Sequence, residues 1–222
     1  TLTYLHWLKK ILEDNESQVI IMVPEINLTP QLEASVEKEF QGKKLVVMHS
    51  GITDRTRADN WVKAHLGKAQ IILGTRMAIA TSAPNLKAIV VDEEHDLSYK
   101  QQEGVRYSAR DLAVWRGKKL DIPVVLASAT PSLETWFHAQ EKRYETLILK
   151  ERAAKNAKPP LIQILDLKQE QKAGKKNEHG LSEHLLNELQ KNIEQGRQSI
   201  IYINRRGYSP VLNCQACGWL SD

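Results

Sequence analysis

Cysteine, long apolar runs and charge of one sign are all scarce in this chain. Its only two cysteines stand together as Cys214-Gln-Ala-Cys217 near the end of 222 residues, which excludes a structural disulfide framework. No apolar run approaches the roughly 20 residues that a membrane-spanning helix needs. Thr1 to Lys10 also lacks the charged-then-apolar layout of a secretory signal, so the expected setting is cytoplasmic, with no membrane partner. A net charge of +4 suits an anionic partner, but such an excess is about equally common on proteins that bind none. One local surplus stands out, with eight Lys or Arg against three Asp or Glu between Lys150 and Lys176. It reads as a solvated linker containing Pro159 and Pro160, with a phosphate-contacting strip as the alternative. No internal repeat is visible, and the Lys/Gln/Glu-rich stretch from Lys168 to Glu178 is expected to be disordered.

What is present is enough apolar material, 41% of residues, to build a real core in one large or two modest domains. Short β-branched runs recur at Gln18–Val23, Lys44–Met48, Gln70–Leu73, Ala88–Val91 and Pro123–Leu126, and they read as strands buried on both faces. Between the first two, Thr29 offers an N-cap and Pro30 fits the first helical turn, with Leu32, Val36 and Phe40 following at intervals of four. A second helix is predicted from Asp54 to Leu66, with Ala58, Trp61, Val62 and His65 on one stripe and Gly67 as its stop. Alternation of strand and helix predicts an α/β doubly wound parallel sheet whose ligands sit at the carboxyl ends of the strands. After about Leu149 the rhythm breaks and then resumes with a strand at Leu161–Leu165, a helix near Ser182–Gln195 and a strand at Ser199–Ile203. Two strands are too few for a sheet of ordinary size, so the second unit is expected to be incomplete.

The strongest chemical signal is Ile89-Val-Val-Asp92-Glu93-Glu94-His95, a strand that delivers three acids and an imidazole to the ligand end of the sheet. Nucleotide hydrolysis needs one carboxylate to hold Mg²⁺ and a neighbour to orient the attacking water. Asp92 and Glu93 fit those roles; the bland alternative is a set of turn residues. A second strand ends in Ser128-Ala129-Thr130, whose hydroxyls can hydrogen-bond the acids as a coupling element, or merely cap a helix.

Asp92-Glu93-Glu94-His95 and Ser128-Ala129-Thr130 resemble motifs II and III of superfamily 2 helicases. Val23-Pro24 through Thr29-Pro30-Gln31 resembles motif Ia as the primosomal replication-restart helicases carry it, and Gly74-Thr75-Arg76 resembles motif Ib. In that reading backbone amides, the Thr29 and Thr75 hydroxyls and Arg76 grip successive phosphates of one DNA strand, and His49-Ser50-Gly51 line the same groove. The segment Ser98-Tyr99-Lys100 to Arg106-Tyr107, followed by Ser108-Ala109-Arg110, is similar to the loop that those helicases place between motifs II and III. Its tyrosines and cations can stack bases and bind phosphate; otherwise it is a solvated loop before a helix that starts near Ser108.

Asn204-Arg205-Arg206 after the run Ile200–Ile203 resembles motif IV and implies a further face toward nucleotide or DNA. Cys214 and Cys217 look like the first half of a zinc knuckle, two thiolates of the four ligands that structural zinc wants. Departures matter equally. The Gly-Lys-Thr phosphate loop is absent from the sequence, and Thr1-Leu-Thr-Tyr4-Leu matches the family's continuation into a helix after that loop, which would make Thr1 its threonine. Motifs V and VI are also absent. The resemblance therefore implies a RecA-like first lobe at 1–149 lacking its phosphate loop, the start of a second lobe at 150–213, and part of a zinc insertion at 214–222. It implies ATP, Mg²⁺ and Zn²⁺ as cofactors, and as partners replication forks, single-stranded DNA, single-stranded DNA-binding protein and other primosome proteins. The expected activity is ATP-driven 3′→5′ unwinding that restarts replication. The rivals are a double-stranded DNA translocase or an RNA helicase, against which the Tyr99–Arg110 loop argues, and a catalytically inactive zinc-containing nucleic-acid-binding module.

Overall fold

The computed structural model describes residues 2–24, 30–150, 160–172, 174, 177–178 and 181–202. The chain divides into two compact units, Thr1–Ile148 and Leu149–Asp222. In the first, strands β1 (Gln18–Met22), β2 (Leu45–Met48), β3 (Ile71–Gly74), β4 (Leu86–Asp92) and β7 (Val124–Ala127) form one sheet in the order β2-β3-β1-β4-β7. Every pairing in it is parallel. A short hairpin of β5 (Lys100–Gln101) and β6 (Tyr107–Ser108) stands between β4 and β7 in the chain.

Side-chain alternation sends each strand into two cores. Val19, Ile21, Leu73 and Val90 pack with Leu5 and Leu8 of α1 (Leu2–Ile11), Leu12 just after it, and Val36 of α2 (Pro30–Glu39). Ile20, Met22, Ile72 and Ile89 pack on the opposite face with Ala64 of α3 (Asp54–His65) and Ala109 and Ala113 of α4 (Ala109–Leu120). The expected doubly covered parallel sheet is therefore present, with helix starts set by hydroxyl caps: Thr53 accepts from the Thr56 amide and Ser108 from the Asp111 amide. Two glycines fix close approaches. A Cβ on Gly74 would stand 2.2 Å from the Met48 carbonyl oxygen, and one on Gly117 would stand 2.2 Å from Val124 Cγ2, where α4 lies on β7.

Three expectations are corrected. The stripe Ala58, Trp61, Val62 and His65 does not face the sheet: all four are exposed, because α3 rests on β2 through Ala64 and through Asn60, whose Nδ2 donates to the Val47 oxygen at 2.9 Å. In the second unit Leu161–Leu165 forms no strand, and residues 199–202 form none either. The stretch expected to be disordered contributes α6 (Leu167–Lys172), followed by the hairpin of β8 (Asn177–Glu178) and β9 (Leu181–Ser182) and then by α7 (Glu183–Glu194). Among the described residues no helix is long and apolar enough to cross a membrane.

Candidate functional site

The carboxyl end of β4 lies between β1 and β7 in the sheet, and Asp92 is its last residue, in register with Ala127 of β7. Hydrogen bonds from two tyrosines and a backbone amide help to fix Asp92. Tyr4 of α1 donates its hydroxyl to Oδ2 at 2.8 Å, the Glu93 amide donates to Oδ1 at 3.2 Å, and the Tyr99 hydroxyl donates to the Asp92 carbonyl oxygen at 2.6 Å. Burial, followed by the nearby Asp92 charge, pushes the Tyr99 phenol far above its usual range, so it stays a donor. Glu93 adopts φ 46°, the left-handed region that a residue with a Cβ enters at a cost of about 1 kcal/mol or more. That turn splits the acids into different surroundings.

Glu93 remains half-exposed, with Oε2 3.6 Å from His95 Nδ1, and the same imidazole nitrogen lies 2.7 Å from Ser128 Oγ. Glu94 instead is buried and fully engaged. Its Oε1 accepts from the Ser132 amide at 2.7 Å, while Oε2 accepts from the Thr135 hydroxyl at 2.9 Å and the Ser132 hydroxyl at 3.0 Å. Arg110 completes the cluster, its Nη1 lying 3.3 Å from Glu94 Oε2 and donating to Ser132 Oγ at 2.7 Å. Burial opposes the charge on Arg110, yet ion pairing and hydrogen bonding to Asp111 and Glu94 hold its pKa above the usual value. Because Ser132 also caps α5 (Leu133–Gln140), the cluster ties the acidic tetrad to the segment after β7 in one network. Glu94 is thus buried among hydrogen-bond donors, whereas Glu93 beside it stays half-exposed. Ser128 meets the tetrad through His95, whereas Ala129 and Thr130 are exposed and the Thr130 amide donates to Ser128 Oγ at 3.0 Å.

Residues expected to touch DNA differ in exposure. Ser50, Lys100 and Arg106 are exposed, and His49 is partly so, its Nδ1 accepting from the Gly51 amide at 3.1 Å. Pro24, Gly74 and Thr75 are buried, and the Thr75 amide donates to the Met48 oxygen at 3.0 Å. Arg76 reaches across to the β5 segment, Nε donating to Gln101 Oε1 at 2.8 Å and Nη1 to the Ser98 oxygen at 3.1 Å. The expectation that Tyr99 and Tyr107 offer rings to bases is corrected as well: Tyr99 is 2% exposed and Tyr107 packs partly buried against the core. Arg110 belongs to the Glu94 cluster. Thr1, Thr29, Asn204, Arg205, Arg206, Cys214 and Cys217 lie outside the described residues.

Sequence reading missed Tyr4, Ser132 and Thr135. Ser132 could have been flagged as an N-cap, but nothing local pairs it with an acid 38 positions earlier. Among the described residues no group of three or more His, Cys, Asp or Glu is arranged to hold a metal ion.

Residues 1–136 match the family described as DEAD/DEAH box helicase. The chain is similar to the replication restart protein PriA of Haemophilus influenzae, with 42% identity over 99% of this chain and 29% of that protein. It is similar also to PriA of Bacillus subtilis (38% identity, 98% of this chain, 26% of that protein) and of Synechocystis (41%, 92% and 25%). The chain thus spans between a quarter and a third of the length of these curated relatives.

Proposed function

We propose, from the premise that this chain belongs to the DEAD/DEAH box helicase family, that it forms the nucleotide- and DNA-facing part of an ATP-driven 3′→5′ DNA helicase acting at stalled replication forks. The observation that carries this reading is the divergence of the tetrad at the end of β4. Asp92 and Glu93 stand at the open end of the sheet, while Glu94 is wired into the segment after β7.

The residues at the open end fit ATP with Mg²⁺. Asp92 is a hard oxygen donor at a strand terminus, the ligand type that Mg²⁺ takes. Bound Mg²⁺ would neutralise charge on the β- and γ-phosphates. Tyr4 keeps the Asp92 carboxylate aimed. Glu93, turned outward by its left-handed backbone, orients the attacking water and accepts its proton. His95 joins Glu93 to Ser128, so a shift at either strand end is felt at the other. Arg76, bonded to the Tyr99–Gln101 segment that also holds the Asp92 carbonyl, offers a route by which DNA on Arg76 reports to the same acids.

Zinc on Cys214 and Cys217, single-stranded DNA-binding protein and primosome proteins as partners, and a cytoplasmic setting belong to this proposal through the resemblance alone. So does the expectation that the 222 residues by themselves hydrolyse ATP negligibly, since the sequence carries no Gly-Lys-Thr loop. The test uses a chain extended to the relatives' length. Glu93→Gln should lower DNA-stimulated turnover by about 10²- to 10⁴-fold with nucleotide binding nearly unchanged, whereas Asp92→Asn should weaken Mg²⁺-ATP binding itself. Near-normal turnover by Glu93→Gln would remove the water-orienting role from that residue.

A further inference from the structure

The turn that opens with Arg76 is not held by its own hydrogen bonds alone. It is a 3-10 helix of five residues, Arg76–Ala80, and Thr75 at its start makes no side-chain cap bond. Short 3-10 turns have poor hydrogen-bond geometry, and the carbonyls at their ends need partners from outside. At the start of the turn Arg76 reaches the Ser98 oxygen and the Gln101 side chain. At its end Arg116 of α4 takes over: Nη1 donates to the Ile79 oxygen at 2.6 Å and to the Thr81 oxygen at 2.9 Å. A charged donor makes the stronger bonds of this kind. Arg116 is partly buried, burial lowers its pKa, and among the described residues no carboxylate offsets that cost. The two carbonyls therefore stand in for the water that the guanidinium gave up. Helix α4 is itself anchored. Ala109 and Ala113 are fully buried, Gly117 lies against Val124 of β7 where a Cβ would not fit, and Arg110 near the start bonds the Glu94 and Ser132 side chains. One rigid helix thus bonds the Arg76 turn and the Glu94 cluster from two arginines under about two turns apart.

We propose that Arg116 is a positioning residue for DNA binding: by holding the Ile79 and Thr81 carbonyls it fixes the turn that presents Arg76, and through α4 it ties that turn to the Glu94 cluster. The inference rests on the reading of Arg76 as a phosphate contact and of the tetrad as the site of ATP hydrolysis. Arg116 itself is assigned no contact with DNA or nucleotide. A purely structural pin predicts a loss of stability and nothing specific to DNA. A positioning role predicts more: removing Arg116 weakens DNA through Arg76 only, and so changes little where Arg76 is already gone.

The test uses a chain extended to the relatives' length and follows ATP turnover as single-stranded oligo(dT) is added. Arg116→Met keeps the apolar stem but removes the donors. It should raise the oligo(dT) concentration for half-maximal stimulation on the order of tenfold, while turnover at saturating oligo(dT) stays within about twofold. Arg116→Lys, whose ammonium can donate to both carbonyls, should bring that concentration back to within about threefold of the wild type. In an Arg76→Ala background, adding Arg116→Met should change it by less than about twofold. Thermal midpoints are measured alongside, and should Arg116→Met fail to fold, Arg116→Gln, which keeps a neutral donor, carries the same comparison. Additive effects of the two substitutions would show that Arg116 acts on the fold at large, and would overturn the proposal. So would wild-type DNA dependence in Arg116→Met, an outcome that leaves the helicase reading standing. If oligo(dT) does not stimulate the wild type, that reading fails and the proposal with it.

Discussion

The central sheet and the segment 160–166 of the second unit carry the same kind of sequence signal and reach opposite outcomes. Ile20, Ile72 and Ile89 are fully buried in paired strands, whereas Leu161, Ile162 and Ile164 are 97%, 80% and 91% exposed in no strand at all. A β-branched run supplies propensity for an extended backbone, but a strand also needs edges to bond and faces to cover it. Strand β1 has β3 and β4 on either side. In the second unit the described strands are the two-residue β8 and β9, which pair only with each other. Helix signals behave differently because they are satisfied within a few residues: Ser108 caps α4 in the first unit and Ser182 caps α7 in the second with the same geometry.

The sharpest way to break this comparison is to truncate one apolar side chain from each region. Ile89→Ala should cost about 3 to 4 kcal/mol, the range for a large core residue replaced by alanine, while Ile162→Ala should stay within about 0.5 kcal/mol, as for other exposed positions. Urea titrations followed by circular dichroism measure both. A comparable loss from Ile162→Ala would mean that the run is packed after all. Next in size is the buried acid of the tetrad. Glu94→Ala leaves Arg110, the Ser132 amide and two hydroxyls without their acceptor, and should cost about 3 kcal/mol. Glu93→Gln, one residue away but half-exposed, should leave stability almost unchanged. Gly74→Ala should cost about 2 kcal/mol through the clash with the Met48 oxygen, read in the same titration.

These differences track how local each signal is in the sequence. The five strands of the sheet, the two helices between β1 and β3, and the tetrad at the end of β4 could be read because each is a local pattern of period, cap or strand end. Partners could not. Tyr4 reaches Asp92 across 88 positions and Thr135 reaches Glu94 across 41, and no spacing rule links them. Periodicity also put Trp61 on the apolar stripe of α3, but a stripe does not say which face the sheet will take. Here Asn60, a polar residue bonded to the Val47 carbonyl, helps to set the contact, and the tryptophan is turned outward. The Tyr99–Tyr107 segment shows the same limit: interleaved aromatics and cations look alike in sequence, but the fold buries Tyr99 and packs Tyr107 partly buried against the core.

Local signals should therefore cost the same in either unit. Ser182→Ala and Ser108→Ala should each remove about 1 kcal/mol from their helices, seen as faster hydrogen exchange in the first turns of α7 and α4. A much smaller loss at Ser182 would show that α7 is not anchored by its cap.

The smallest expected effect is electrostatic and isolates α7 from everything non-local. Hydrogen bonding and then charge attraction from Lys191, one turn along the helix, lower the pKa of Glu188 below its ordinary value. A carboxyl whose pKa is depressed on folding stabilises the fold at pH above its unfolded value. That contribution is lost as pH falls through the lower folded value, so the relevant window lies below about pH 4.5. Because the pair is exposed, it is screened by salt and contributes little to overall stability. The measurement is a carboxyl titration by NMR at two salt concentrations. Glu188 should titrate below its ordinary value in the wild type and return toward it in Lys191→Ala, and high salt should produce most of that return without any mutation. If Glu188 instead titrated at the same depressed value in Lys191→Ala, its partner would lie elsewhere, and α7 could no longer be treated as a helix held by local interactions.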